Sequence, residues 1–298
     1  MNIKYKNIKT NKALILSSLF LLTVFVFVSC DPDETQDVAK LNNLVIADEF
    51  DVNGALDPLL WSYDIGDGSD QGIPGWGNNE LQYYTDRPEN VNIENGLLVI
   101  TANQESFEGS SFTSGRIITQ GKFEQQYGRF EARIKLPTGK GIWPAFWLLG
   151  TDCDVNPWPQ CGEIDVMEYL GDQPTIAFGS VHGPGYNGAF SVGKDYELEN
   201  DRFDEGFHIF GVEWGPDYIN YYVDGDLYQT ITPDIVAQEA EDNEDAFTDA
   251  PQNSGEWVFN RPFYIIINIA VGGNLPGAPN AETVFPQRMF VDYVRVYN

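Results

Sequence analysis

Three acidic residues stand close together in the segment Glu163-Ile164-Asp165-Val166-Met167-Glu168. Carboxyl groups gathered at one point can divide proton donation and nucleophilic attack between them, which is the chemistry of glycosidic bond cleavage. Spacing alone proves little, since chance supplies such a triplet about once in a chain with 45 acidic residues among 298. The setting says more, because the acids interrupt the apolar Ile164, Val166 and Met167, and an unpaired carboxylate is costly to bury. A strand that carries them must line something wet. In a regular strand Glu163 and Asp165 share one face and Glu168 points to the other. One extra residue, taken up as a β-bulge around Val166-Met167, returns Glu168 to the face of Glu163. The two Glu then stand roughly 13 Å apart along the backbone, and leaning side chains can close that to the about 5 to 5.5 Å of a retaining, double-displacement glycosidase. Repulsion from ionised Glu163 and Asp165 raises the proton affinity of Glu168, which suits a general acid.

Other residues suit a sugar site. Trp143, Ala145 and Trp147 fall on one face of their segment, with Ile142, Phe146 and Leu148 on the other. The second set supplies core, which leaves the Trp pair to stack on the apolar faces of sugar rings; core packing is its alternative use. Asn79 and Arg116 offer directed hydrogen bonds to hydroxyls. Trp158 lies between Cys153 and Cys161, where it either walls a cleft or caps its own loop. His182 and His208 are the only histidines, too few for a metal site without a third ligand. His208 reads as structural.

The elements that must position these groups are strands. From Gly128 to Leu136, Phe130, Ala132, Ile134 and Leu136 alternate with Arg129, Glu131, Arg133 and Lys135, a period of two with one buried face. Asn95-Gly96 and Asp224-Gly225 are tight-hairpin dipeptides, joining the run from Val91 to Leu97–Thr101 and Tyr218–Val223 to Leu227–Thr232. Further apolar runs cover Ile142–Leu149, Ile164–Tyr169, Thr175–His182, His208–Trp214, Phe263–Val271 and Met289–Tyr297. Helical periodicity is confined to Pro233–Ala240. Many strands separated by turn residues imply an all-β sandwich or jelly roll.

Ahead of these strands, Lys4, Lys6, Lys9 and Lys12 precede an uncharged, mostly apolar run from Ala13 to Val28, the layout of a secretory signal peptide over residues 1–29. A run of 16 residues is short for a membrane-spanning helix. Phe27-Val28-Ser29-Cys30 resembles a bacterial lipobox, with Phe27 where Leu is usual, so Cys30 is expected to carry an acyl anchor. Residues 30–43 read as a polar tether, and 44–298 as a single domain. That makes the chain an exported lipoprotein, at the outer membrane, cell surface or periplasm and held to the membrane only by its lipid. Without the leader, 13 basic residues face 45 acidic ones. Such a surface excludes nucleic acid and other polyanions as partners and permits a neutral polysaccharide. With Cys30 acylated, Cys153 and Cys161 are left as a disulfide pair in an oxidising compartment, or as two free thiols.

With these motifs in view, the chain resembles glycoside hydrolase family 16, in its laminarinase-like branch. Glu163, Asp165 and Glu168 match the family's signature in its bulged form. Gly75–Tyr84, Gly141–Trp147, Val181-His182, Asn268–Gly273 and Phe290–Tyr297 match that branch as well, so the likeness spans most of residues 44 to 298. The resemblance implies a curved antiparallel β-sandwich, a jelly roll with an open concave substrate cleft. It implies Glu163 as nucleophile, Glu168 as acid/base and Asp165 assisting between them, with Trp143 and Trp147 in the donor subsites and His182 in the cleft. It also implies a structural Ca²⁺ held by Glu49, the Gly96 carbonyl and Asp292, while catalysis needs no cofactor. The expected reaction is endo-hydrolysis of β-1,3-glucan by a monomer. A mixed-linkage β-1,3/1,4-glucan or another β-glycan is the alternative substrate, and a non-catalytic sugar-binding module the alternative class.

Overall fold

The computed structural model describes Leu41 and residues 43–243 and 255–298; the expected leader, Cys30 and most of the tether lie outside the described residues. Two sheets carry the fold. The first holds seven strands, ordered across it as Val192–Glu197, Ile176–His182, Glu163–Tyr169, Ile142–Gly150, Phe263–Val271, Arg116–Ile118 and Ser62–Tyr63. Its neighbours pair antiparallel throughout. Along the ten-stranded second sheet run Asp226–Ile231, Ile219–Val223, His208–Trp214, Gly128–Lys135, Gln287–Tyr297, Leu97–Phe107, Ser110–Ser114 and Gln82–Tyr84. Leu44–Asp48 pairs with Gln287–Tyr297 and Val91–Glu94 with Leu97–Phe107. Gln82–Tyr84 runs parallel to Ser110–Ser114, a pairing that alternation cannot foretell because it fixes faces and not directions.

Local sequence accounts for the main joints. Asn95 and Gly96, like Asp224 and Gly225, take positive φ, as a two-residue hairpin turn requires. Phe130, Ala132 and Ile134 are fully buried, as their alternation implies. Glu131 departs from the pattern: it lies on the outer face yet is buried, its charge met by Arg129 at 2.8 Å. The helix covers Pro233–Asp242, with proline in the first turn and Val236 and Ala240, four residues apart, turned inward. Side chains from both sheets form one core, in which Ile164, Val166, Met167 and Tyr169 of the first sheet join Phe130, Ile134, Phe210 and Val212 of the second. The opposite face of the first sheet is where its polar side chains collect.

Candidate active site

The strand Glu163–Tyr169 carries the expected bulge. Toward Ile176–His182, Asp165 pairs with Ser180 and Glu168 with Phe178, so three residues span what two span on the neighbour. Toward Ile142–Gly150, Asp165 faces Trp147, Met167 faces Phe146 and Glu168 faces Ala145, again one residue extra. The energetics favour this irregularity. Interrupting the ladder forgoes about one net hydrogen bond, roughly 1 kcal/mol. An unbroken register would turn Glu168 into the core, where an unpaired carboxylate costs several kcal/mol. The bulge also lets Val166 and Met167 both stay buried, each contributing about 1.5 to 3 kcal/mol. Glu163, Asp165 and Glu168 thus share the open face. Just before them, Gly162 takes φ 80°, and a Cβ there would come within 2.9 Å of the Phe263 ring, so only glycine lets the chain turn into this strand.

Asp165 is held from two sides: Ser180 Oγ donates to its Oδ2 at 2.7 Å, and His182 Nε2 lies 3.0 Å from the same oxygen. His182 Nε2 is also 3.6 Å from Glu163 Oε1. On its far side the Gly188 N–H donates to His182 Nδ1 at 3.0 Å, which places the proton of the neutral ring on Nε2, aimed at Asp165. Burial opposes a charged imidazole, but Asp165, Glu163 and Glu168 outweigh it and lift His182 to about 9. The second proton would have to land on Nδ1, so the Gly188 N–H works against it.

The two glutamates are pushed apart in the direction that catalysis wants. Burial, then the neighbouring Asp165 charge, raises Glu163 to about 7, while His182, Arg116 and a hydrogen bond from Trp158 pull it down. Glu168 is raised further by burial, Asp165 and Glu163, against His182 and a hydrogen bond from Trp143. Both shifts favour a proton held within the pair, so that one carboxyl can donate while the other attacks.

Both expected tryptophans reach the site, with more than stacking to do. Trp143 Nε1 donates to Glu168 Oε1 at 2.9 Å, which positions that carboxyl directly. Trp147 Nε1 donates to Asn268 Oδ1 at 2.8 Å, and the Arg116 guanidinium covers its ring at 4.9 Å. Arg116 is thus sandwiched between Trp147 and Trp76, with Asp64 on its Nε at 2.8 Å. Asn79, exposed, bonds Asn274 at the rim. Cys153 and Cys161 form a disulfide with Cα atoms 5.0 Å apart. Their loop brings Trp158 to Glu163 and within 5.9 Å of the His182 ring, so Trp158 walls the site. His208 lies elsewhere, buried and paired through Nδ1 with Asp224 at 2.7 Å.

Sequence reasoning missed Ser180, Asn268 and Trp76. Ser180 stands two residues before His182 on a strand, so alternation already put them on one face. Asn268 is a lone amide inside the apolar run Phe263–Val271, the same signal that marked the acids. It ties Trp147 to Tyr84 and Glu80, whose carboxylate also accepts from Gln82. Trp76, beneath Arg116, lies in the Gly75–Tyr84 motif, but no periodicity there showed which way its ring faces.

Among the described residues, Glu163, Asp165 and His182 form the one His/carboxylate group compact enough for a cation, their ligand atoms lying within 4.8 Å of one another. His182 Nε2 already lies against Asp165 Oδ2 at 3.0 Å there, with Glu163 Oε1 at 3.6 Å. Glu49 and Asp292, expected to bind calcium, face guanidinium groups instead: Arg295 grips both oxygens of Glu49 at 2.7 and 2.9 Å, and Arg133 reaches Asp292 at 2.7 Å.

Comparison with known proteins agrees with this arrangement. The family model described as Glycosyl hydrolases family 16 matches residues 78–254. The chain is 38% identical over 290 residues to a β-glucanase of Rhodothermus marinus, covering 96% of each. It is 40% identical over 272 residues to glucan endo-1,3-beta-glucosidase A1 of Niallia circulans, covering 86% of this chain and 38% of that longer protein. Among solved structures, the laminarinase catalytic domain from Thermotoga maritima superposes with a TM-score of 0.76 at 49% identity, over 86% of this chain and 97% of that one.

Proposed function

Because the chain belongs to glycosyl hydrolases family 16, we propose that it is a retaining endo-hydrolase of β-1,3-glucan, working by double displacement on Glu163 and Glu168. The observation that carries this reading is the bulge, which gives both glutamates one open face while Trp143 and Trp158 hydrogen-bond them from opposite flanks. The β-1,3-glucan class is supported by the relatives named as laminarinase and endo-1,3-β-glucosidase. A net charge of −28 suits a neutral polysaccharide.

In the first half-reaction the Glu163 carboxylate attacks the anomeric carbon, the glycosidic C–O bond breaks, and Glu168 gives its proton to the departing oxygen. In the second, Glu168 as carboxylate takes a proton from water, whose oxygen displaces Glu163, and the cycle ends with Glu163 a carboxylate and Glu168 protonated. Two inversions at one carbon retain its configuration. Asp165, fixed by Ser180 and His182, stands beside Glu168 and raises the proton affinity of that carboxyl. Release of reducing ends from laminarin, with less from barley β-glucan and none from agarose, is the expected result. Binding to all three with no release would leave a sugar-binding module.

The pH dependence follows from the two shifts. Attack needs Glu163 ionised, so kcat/KM is expected to rise as pH climbs through about 7 rather than near the ordinary carboxylate value. Protonation of the leaving group needs Glu168 neutral, so the profile falls again at higher pH, where Glu168 ionises. Both limbs belong to the coupled pair. A kcat/KM already at its plateau at pH 5 would show that burial and like charge do not act on Glu163 as described.

A structural Ca²⁺ on Glu49, the Gly96 carbonyl and Asp292 belongs to the same proposal, since oxygen-only donors suit that ion. As placed, the two carboxylates do not form a ready cage, because Arg295 and Arg133 already neutralise them. The ion would exchange with these pairs, so chelation is expected to lower Tm by no more than about 4 °C, the scale of 1 kcal/mol in a domain of this size. A melting curve unmoved by EDTA and by added Ca²⁺ removes the ion from the reading.

A further inference from the structure

The open face continues past the carboxylates on the flank away from Trp143 and Trp147. On the strand Ile176–His182, Ala177 and Val181 are buried in the core, and a Cβ on Gly179 would strike the Tyr221 ring. The alternate residues Ile176, Phe178, Ser180 and His182 therefore face outward with the acids. Ser180 and His182 are used on Asp165. Phe178 is not: it is the cross-strand partner of Glu168, half-buried, and it does not pack against the core. Among the described residues it makes no ring–ring or cation–π contact. A phenyl ring placed so, with Ile176 beside it, keeps an apolar surface on the sugar side of the sheet. Its partner on the edge strand Val192–Glu197 is Asp195, exposed, a hydrogen-bond acceptor for hydroxyls.

We propose that Phe178 is the stacking platform for the glucosyl units on the leaving-group side of the scissile bond, and so sets specificity for that half of the glucan. The inference rests on the reading above, in which Trp143 and Trp147 serve the donor side and Glu168 protonates the departing oxygen. The occupant of the opposite flank is then the chain that departs, or an acceptor sugar that takes the place of water. Pyranose C–H faces match an aromatic surface, whereas a free phenyl ring beside a general acid otherwise only exposes apolar area to water.

The test compares two substrates in wild type, Phe178→Ala and Phe178→Tyr. Laminarihexaose fills both flanks, while β-laminaribiosyl fluoride fills the donor side and its fluoride leaves without needing a platform or a proton. In Phe178→Ala the ratio of kcat/KM for the hexaose to that for the fluoride is expected to fall about tenfold, the worth of one aromatic face. Phe178→Tyr is expected to restore it. Transfer to added laminaribiose, relative to hydrolysis, should fall in parallel in Phe178→Ala. Equal losses on both substrates, as from a loosened site, or an unchanged ratio with wild-type transfer, overturn the platform. A wild-type enzyme that leaves laminarin intact would instead defeat the underlying reading, so the two failures are distinguishable.

Discussion

Glu163→Gln is expected to lower kcat on laminarin by at least about 10⁴-fold, because an amide oxygen cannot form the glycosyl ester and no second group stands in its place. Shape is kept, so binding of laminarin oligosaccharides should change little. Stability offers an independent check. Glu163 shares its face with Asp165 and Glu168, and its burial as a charged group is unfavourable. Removing one charge from that crowd should leave Tm level or raise it slightly. The Trp158 and His182 contacts are expected to persist with the amide. Rate measured by reducing ends, binding by calorimetry and Tm by scanning fluorimetry together decide the matter: a variant that keeps most of its rate refutes the assignment, and one that loses rate only because it unfolds shows that in its Tm.

The second large effect is expected at Glu168. Glu168→Gln removes the proton that the sugar oxygen needs and the base that activates water, so kcat/KM on laminarin should fall by about 10² to 10⁴-fold. The two half-reactions separate on β-laminaribiosyl fluoride, whose leaving group departs as an anion. Attack by Glu163 then proceeds while hydrolysis of the ester stalls, and the enzyme should accumulate with one laminaribiosyl unit attached. Intact-mass spectrometry reads this directly, the adduct appearing in Glu168→Gln and not in Glu163→Gln. The opposite pattern would exchange the two roles. In either case the Trp143 indole N–H, at 2.9 Å, positions the Glu168 carboxyl at the site.

The bulge shows how far residue order alone reaches. Two facts legible in the chain, that carboxylates are costly to bury and that Val166 and Met167 are not, leave a one-residue slip as the cheapest way to keep Glu168 outside and both apolar neighbours in. The hairpins at Asn95-Gly96 and Asp224-Gly225 are local in the same sense, because positive φ is a property of those dipeptides whatever surrounds them. Trp143 and Trp147 were assigned to the correct face by alternation, and the Cys153–Cys161 pair was the stated alternative that formed.

What the strands do to each other was beyond such reasoning. Trp76 and Arg116 are 40 positions apart in the chain and meet through the fold, and Arg116 lies over Trp147, so a residue expected to bind hydroxyls also covers one ring face. Glu49 and Arg295, from opposite ends of the domain, meet because Leu44–Asp48 pairs with Gln287–Tyr297. That pairing sets a guanidinium against a carboxylate that the resemblance gives to calcium. Phe178 could have been placed on the open face by period two, but only the register that sets it opposite Glu168, and the lack of core contact, gave it a use. Residue order thus determined which groups share a face, through the two-residue repeat of the strand and the penalty for burying charge. Tertiary structure alone decided which faces meet, because strand order and register depend on packing between segments that the chain keeps far apart.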